Sequence, residues 1–433
     1  MAAGYFQAGK IGERATFELF VRRLPYNRNF FIAAGLRQAV EYLLNLRFTK
    51  GEIGYLKGLR QFQNTPPAFF EALLDFRFTG DLFAVREGTP VFAGEPILTI
   101  RAPLLEAQIP ETYLLATVGF QSMVATKAAR LVESAGAASV VEFGSRRAHS
   151  PEAGVFAGRA AYIGGCAGTS NVESGMRFNI PVFGTAAHSW VMSFASELES
   201  FEQLEKLLGD GAVYLIDSYD TLEGARRAVS LGKPMWGVRL DSGNLVELSR
   251  SVREILDNAG FRDAKIMATG DLNEYKILEI TAAHAPIDAY GVGTDLATSA
   301  DCPSIGAIYK MVELEANGQK RYTAKFSEDK HTMPGSKQIF RFNDRDIIGG
   351  SSECVGCEVQ GKGPEALLAP VIIKGKLIAA LPEAHAARDH AAECLQKLPR
   401  ACRSVFGSEQ AWKVEYSAEL EALAEKVRRE NYR

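Results

Sequence analysis

The sequence predicts an α/β protein, an irregular parallel α/β barrel with a second α+β domain built from the N-terminal and C-terminal segments. Three observations predict it. Short apolar runs begin near Ser139, Tyr162, Ile180, Val213, Met235, Ala264, Ile287 and Ile305, most of them separated by helical patterns with a glycine stop such as Gly232 or Gly260. About eight such units in ~180 residues are what a parallel barrel requires. Several runs end in small residues beside a reactive side chain, as barrel strand ends do when they present chemistry. A doubly wound sheet would carry a glycine fingerprint instead, but Gly291-Val292-Gly293-Thr294 lacks the third glycine and no Walker-type phosphate loop occurs.

The elements follow in order. Residues 1–135 form an N-terminal helical and β module. In it, Asn29 is expected to cap an apolar-periodic helix running to about Leu46, with polar, proline-containing sequence as far as Pro67. From Phe76 to Ala102 the pattern alternates, with turn signals at Gly80-Asp81, Glu87-Gly88 and Gly94-Glu95, which predicts a small antiparallel β module. A helix from about Thr112 to Ser134 leads into the barrel, residues 136–318, which is expected to carry the active site. Residues 319–433 open with a charged loop, Gln319 to Lys337, and continue with β pattern that includes a hairpin around Lys374-Gly375-Lys376. Amphipathic helices are expected from about Glu383 to Gln396 and from Ser417 to Glu430, and this segment should pack back on the N-terminal module.

Composition narrows the function classes. With 433 residues, 47% hydrophobic and 23% charged, the chain is long enough for two or three folded domains. A net charge of -3 gives no general pull toward nucleic acid or a membrane surface, so neither is an expected partner, and an anionic substrate needs a local basic cluster. Lys10, Glu13 and Arg14 interrupt the N-terminus and no long apolar run occurs, so the chain reads as cytoplasmic. Cys354 and Cys357 form a Cys-x-x-Cys, but Cys394 and Cys402 stand too far apart to complete a structural zinc site, so free thiols are expected.

The chemistry lies at run ends. Arg239-Leu240-Asp241-Ser242-Gly243-Asn244 closes one run and opens a helix near Leu245, so backbone N–H groups point where Asp241 and Ser242 lie. Thr269-Gly270-Asp271 closes the next, and Gly291-Val292-Gly293-Thr294-Asp295 the one after, with small residues that let amides approach an anion. Late barrel strands are a common phosphate site. Two acidic groups beside a phosphate cradle point to Mg²⁺, or to stabilisation of a developing positive charge. Each residue taken alone also fits a structural role: Asp241 and Asp271 as caps, Gly291 and Gly293 as packing, Arg146 and Arg147 as surface ion-pair partners. Their co-occurrence on neighbouring strands argues for function. His188 can be structural, a general base, a metal ligand or a phosphoryl acceptor, and with no Cys or His at ligand spacing metal is the weakest of these.

These motifs resemble the nicotinate phosphoribosyltransferases, within the type II phosphoribosyltransferases. The resemblance covers nearly the whole chain. It is carried by Gly4-Tyr5-Phe6, Glu142-Phe143-Gly144-Ser145-Arg146-Arg147-Ala148, Gly168-Thr169-Ser170-Asn171, Gly184-Thr185-Ala186-Ala187-His188-Ser189, Gly237-Val238-Arg239-Leu240-Asp241-Ser242-Gly243, Gly291-Val292-Gly293-Thr294, and Lys325-Phe326-Ser327 through Pro334-Gly335-Ser336-Lys337. It implies that nicotinate and phosphoribosyl pyrophosphate give nicotinate mononucleotide and pyrophosphate, with ATP as co-substrate, in the first step from nicotinate to NAD. It also implies a homodimer with the active site near its interface.

The resemblance further implies the roles. The family's histidine matching His188 is phosphorylated by ATP, and one pocket would hold ATP and phosphoribosyl pyrophosphate in turn. Asp241 or Asp271 would stabilise positive charge at the ribose C1 carbon, directly or through Mg²⁺. Arg239, Lys325 and Lys337 would take charge developing on pyrophosphate, and the amides of Gly291, Gly293 and Thr294 would hold the 5′-phosphate. Phe143 would stack on the pyridine ring, and Arg146 would pair with the nicotinate carboxylate or a nearby phosphate. Thr185, Ser170, Ser242, Gly243 and Gly270 complete the expected substrate-binding set. Family members usually carry a segment of the type Thr-Asp-Leu-Tyr-Gln-Leu-Thr before the Met that precedes Gly-Tyr-Phe, and its tyrosine reaches the other ring face from the partner subunit. This chain starts at that Met, which we read as a misassigned start. The alternatives are a nicotinamide- or quinolinate-using relative, with the Gly184–Ser189 histidine motif arguing against quinolinate, a catalytically impaired ligand-binding relative, and a sugar-phosphate lyase or isomerase barrel. The last needs a Schiff-base lysine at a strand end, for which Lys310 is the one candidate.

Overall fold

In the computed structural model, the described residues are 1–327, 330–356, 363–378, 380–407 and 412–431. Two sheets organise them around a long central helix, Glu111–Ala135. That helix is buried over most of its surface and is lined by small residues such as Gly119, Ser122, Ala125 and Ala128. Small side chains let its neighbour approach closely: a Cβ at Gly164, just after the helix Pro151–Ile163, would lie 2.1 Å from the carbonyl oxygen of Ala125.

The first sheet is antiparallel, in the spatial order Gln319–Tyr322, Ala307–Ala316, Arg14–Val21, Pro96–Pro103, Asp81–Ala84, Ala369–Ile373 and Lys376–Leu377. Leu19 pairs with Leu98 on one side and with Tyr309 on the other, and all three are buried. The chain end returns to this sheet, where Ala369 pairs with Ala84. Its hairpin turns at Lys374 and Gly375, whose φ values of 50° and 73° are the successive positive angles of a tight hairpin turn. A smaller sheet orders Glu365–Ala366, Lys337–Arg341, Arg345–Gly350 and Lys413–Tyr416.

The second sheet is parallel. Its strands run in the order Gly168–Thr169, Ser139–Glu142, Ala289–Val292, Lys265–Ala268, Gly237–Leu240 and Val213–Leu215, and Val182 adds a parallel bridge to Thr169. This is chain order taken around a ring. Among the described residues no strand pairing joins Val182 to Val213–Leu215, so the barrel has one open seam. Val141, Met267 and Ala289 fill its interior from adjacent strands, with Phe143 packed against them.

Several local expectations are corrected. The run near Ile305 is not a barrel strand but supplies Ala307–Ala316 to the antiparallel sheet, because its buried positions suit a strand with one wet face. The run near Tyr162 is the end of the buried helix Pro151–Ile163, and the strand comes later, at Gly168–Thr169. Asn29 caps no helix: the helix Leu36–Asn45 begins after Gly35, while the Asn29 amide donates to the carbonyls of Ala401, Cys402 and Ser404 at 3.3, 3.1 and 3.2 Å. The stretch read as merely polar holds the helix Lys50–Gly58, opened by a Thr49/Glu52 capping box, and the helix Pro67–Leu74 starts where that stretch ends. Cys166, Cys302, Cys394 and Cys402 are in no disulfide, but Cys354 is disulfide-bonded, contrary to the expectation of free thiols throughout. Cys357 lies outside the described residues. Among the described residues no helix is long and apolar enough to cross a membrane, and no group of three potential metal ligands occurs.

Candidate active site

One hydrogen-bonded network crosses the seam. Arg239, on the strand Gly237–Leu240, donates to Thr269 Oγ1 at 2.8 Å, to Thr185 Oγ1 at 2.7 Å and to Asp241 Oδ1 at 2.6 Å. Thr269 Oγ1 donates to the same Asp241 oxygen in a short contact. Burial would raise the Asp241 pKa, but the Thr269 hydroxyl and the Arg239 charge outweigh it and hold the carboxyl below its ordinary value. Asp241 is therefore an anion fixed in place.

Asp217 extends the network to His188. It stands just beyond the strand Val213–Leu215, with its side chain 1% exposed. One of its oxygens accepts from the backbone N of Asp241 at 2.9 Å and from Ser242 Oγ at 2.8 Å, and the other lies 3.2 Å from His188 Nε2. A carboxylate only accepts, so Nε2 carries the proton of that bond. The other ring nitrogen, Nδ1, has no partner among the described residues, and His188 opens the short helix His188–Met192 with its side chain 37% exposed.

Neighbouring strand-end loops touch one another here. Gly270 has φ +95°, and a Cβ there would sit 2.0 Å from the Asp241 carbonyl oxygen, so only glycine brings the Thr269–Asp271 turn this close. Capping duties fall elsewhere: Asn244 accepts from Glu247 N and Asn273 from Lys276 N. Asp241 and Asp271 are thus free of the helix-cap role. Asp271 is exposed with φ 46°, and its carbonyl accepts from Lys276 Nζ at 2.8 Å. Ser242 and Gly243 sit exposed on the adjoining turn.

The glycines of the next loop divide their work. Gly291 lies inside its strand, where a Cβ would meet Thr269 Cγ2 at 2.6 Å and the Phe143 ring at 2.9 Å, so its absence of side chain gives that ring its place. Gly293 and Thr294 lie at the strand end, where the helix Thr294–Ala297 starts. Phe143 is half-buried over the barrel interior. The turn after it is braced by buried Glu142, which accepts from Thr169 Oγ1 at 2.6 Å and from Gly144 N in a short contact. Ser170 N donates to the Glu142 carbonyl at 2.8 Å, and Asn171 Nδ2 to Ser145 Oγ at 3.0 Å. On that turn, Arg146 is exposed and unpaired among the described residues.

The two lysines part company. Lys325 is exposed; its backbone is held by Thr332 at 2.9 and 3.0 Å, and its ammonium has no partner among the described residues. Lys337 is buried in the antiparallel half, with Nζ 2.7 Å from Glu18 and donating to the carbonyls of Met333 and Gly335 at 3.0 and 2.9 Å. No described contact brings it to the network. A buried ammonium saturated in this way is committed where it stands. Lys310, paired in register with Glu18, also belongs to the antiparallel sheet and sits at no barrel strand end.

Asp217 and Thr269 were not among the residues expected to form the site. Asp217 had a signal, since it follows the apolar run Val213–Ile216 much as Asp241 follows Val238–Leu240. Chemically, the cluster offers an imidazole oriented by a buried carboxylate, an arginine and an anion beside it, and an aromatic platform with an unpaired arginine on the opposite wall.

The model of the nicotinate phosphoribosyltransferase N-terminal domain matches residues 1–119, and that of the nicotinate phosphoribosyltransferase family matches residues 138–331. The chain is 39% identical over 412 residues to nicotinate phosphoribosyltransferase pncB2 of Mycobacterium tuberculosis, covering 94% of this chain and 87% of that protein. It is 43% identical over 350 residues to the nicotinate phosphoribosyltransferase of Bacillus subtilis, covering 79% and 71%. The crystal structure of human nicotinic acid phosphoribosyltransferase superposes with a TM-score of 0.82 at 28% identity, over 98% of both chains.

Proposed function

The chain belongs to the nicotinate phosphoribosyltransferase family, and from that premise we propose how its residues join nicotinate to phosphoribosyl pyrophosphate to give nicotinate mononucleotide and pyrophosphate. The observation that carries the mechanism is the buried Asp217 carboxylate on His188 Nε2. It orients the ring and leaves Nδ1 as the nucleophile toward the terminal phosphoryl group of ATP, so Nδ1 forms the N–P bond while ADP departs with the broken P–O bond's electrons. The Asp217 anion then stabilises the phosphorylated imidazole.

In the transfer step, the pyridine nitrogen of nicotinate attacks the ribose C1 carbon as the C1–O bond to pyrophosphate breaks. Asp241, kept ionised by Arg239 and Thr269, faces the positive charge that grows at C1. Arg239 and Lys325 take the charge gathering on the leaving pyrophosphate, and the Gly293 and Thr294 amides receive the 5′-phosphate. Phe143 stacks on the pyridine ring, and unpaired Arg146 meets the nicotinate carboxylate. Ser170 and Thr185 line the space between these walls. Water then hydrolyses the phosphohistidine and releases phosphate.

Mg²⁺ fits the donor set. The mouth supplies oxygen ligands from Asp241 and Asp271 but no cage of three among the described residues, which suits an ion held by one or two carboxylates together with substrate phosphates. Bound there, it would neutralise polyphosphate charge. A homodimer belongs to the same proposal. Val172, Met176 and Phe183 are 71%, 79% and 43% exposed beside the seam, an apolar face that a second copy would cover. A cytoplasmic location completes it.

The test is nicotinate mononucleotide formation from nicotinate, nicotinamide or quinolinate, with and without ATP, on this chain and on His188→Ala. We expect nicotinate-specific product, with the ATP stimulation absent in His188→Ala. Equal stimulation of both forms would remove His188 from the mechanism.

A further inference from the structure

A buried charge cluster that the mechanism above leaves unused lies behind the strand-end loops. It joins Lys127 and Arg130 of the central helix and Arg28 to Glu274, Asp295 and Asp301. Lys127 is 1% exposed; its ammonium donates to Glu274 at 2.5 Å and to Asp301 at 2.9 Å, and also contacts Asp295. Burial opposes its charge, but the surrounding carboxylates outweigh that and hold its pKa above the ordinary value.

The carboxylates are not equally dependent on it. Glu274 also accepts from Arg130 Nε at 2.9 Å, and Asp301 from Arg28 at 2.7 Å. Asp295 has Lys127 as its one ion-pair partner among the described residues. Position in the chain gives this consequence. Asp295 directly follows Thr294, whereas Glu274 is the first residue of the helix that follows the Gly270–Asp271 turn. One buried ammonium therefore anchors two loops, those leaving the adjacent strands Lys265–Ala268 and Ala289–Val292.

We infer that Lys127 is a positioning residue for phosphoribosyl pyrophosphate: through Asp295 and Glu274 it fixes the spacing between the loop that seats the 5′-phosphate and the loop that presents Asp271. The inference rests on the proposed reading of the Gly293–Thr294 turn as the 5′-phosphate seat. Without the ammonium, Glu274 and Asp301 keep their arginines, and Asp295 alone is stripped of a cation. Its side chain is 27% exposed, so it can turn toward water and take the Thr294 turn with it. Phe143 and Arg146, which receive the base, are outside this cluster.

The experiment uses the full chain and the variants Lys127→Met, Lys127→Arg and Asp295→Asn. We expect Lys127→Met to raise KM for phosphoribosyl pyrophosphate by on the order of ten- to a hundredfold, a loss typical of a small misplacement of a bound group. KM for nicotinate should change by less than about twofold. Asp295→Asn, which keeps Lys127 on Glu274 and Asp301 and so keeps the fold, should reproduce the split. Lys127→Arg should restore part of it. Adding Asp295→Asn to Lys127→Met should cost nothing further, since the Lys127–Asp295 contact is already lost in Lys127→Met. Equal rises in both KM values, or an Asp295→Asn enzyme with unchanged KM for phosphoribosyl pyrophosphate, would overturn the inference. Calorimetric binding of pyrophosphate and inorganic phosphate to the parent chain and Asp295→Asn separates the two readings. A parent chain without transferase activity defeats the proposed function, while weaker phosphate binding by Asp295→Asn upholds the anchor and unchanged binding defeats it.

Discussion

Charged side chains are buried in two kinds of place in this molecule, and the two behave oppositely. Where the β module meets the helix Pro151–Ile163, Glu87 accepts from the two terminal guanidinium nitrogens of Arg159 at 2.9 and 2.6 Å and from the backbone N–H groups of Gly35 and Leu36 at 2.8 and 3.1 Å. Glu18 with Lys337 and Arg341 with Asp346, each at 2.7 Å, are similarly closed. At the barrel mouth the same residue types form a chain that does not close. It passes from Thr185 through Arg239, Asp241 and Asp217 to His188, whose Nδ1 has no partner among the described residues. Closed pairs fix architecture; a network with free ends is available to a ligand.

The largest expected effect breaks a closed pair. Arg159→Met leaves a buried carboxylate without its cation and should cost about 3–5 kcal/mol of stability, read by denaturant unfolding. The pH dependence has a definite sign. Burial would raise the Glu87 pKa, but Arg159 and the two amides hold it below its ordinary value. Its stabilisation is therefore present above the ordinary carboxylate range and lost as pH falls through the folded-state pKa. Glu87→Gln should flatten the acid limb of stability, and an unchanged limb would show that this pair is not what acid titrates.

The next effect opens the mouth network instead. Arg239→Lys should lower kcat/KM by roughly 10²–10³-fold, because a compact ammonium lacks the planar fork whose three nitrogens reach Thr269, Thr185 and Asp241 in different directions. Thermal stability should change far less than in Arg159→Met. If the two variants lost stability equally, the contrast between closed and open charges would collapse. The smallest effect is expected at a free end. Arg146→Ala should weaken nicotinate binding by about 1.5–3 kcal/mol, the scale of one charged hydrogen bond, with the unfolding midpoint unmoved. A shift in the midpoint would mean that Arg146 has a structural partner.

The parts of the site that could be read from sequence are those where local chain geometry and chemistry coincide. Gly270 and Gly293 mark close approaches, and Asp241 and Arg239 end an apolar run, so strand, turn and reactive group sit within a few residues. Asp217 lacks a neighbouring glycine, and Thr269 looks like any strand-end hydroxyl, so their roles emerge only when strands lie side by side. The burial of Lys337 against Glu18 was illegible for the same reason, because that partner is 319 positions away. The errors in fold have a different origin. Ala160-Ala161-Tyr162-Ile163 is buried all round as the end of a helix, and such a run has the same apolar pattern as an interior strand. The run near Ile305 is a true strand, but period alone does not say which sheet receives it.

The barrel wall is closed by backbone everywhere except at the seam, where His188 meets Asp217 and Thr185 meets Arg239. Elsewhere in the ring neighbouring strands are joined by peptide hydrogen bonds, whereas here the joining contacts come from four side chains. The ring is thus latched like a bracelet, with a clasp made of side chains. The strand Val213–Leu215 ends the sheet beside that clasp, and its outward amides have no ladder partner among the described residues. Their hydrogen exchange reports on the clasp, and it should be faster than that of Ala289–Val292, which is flanked by strands on both sides.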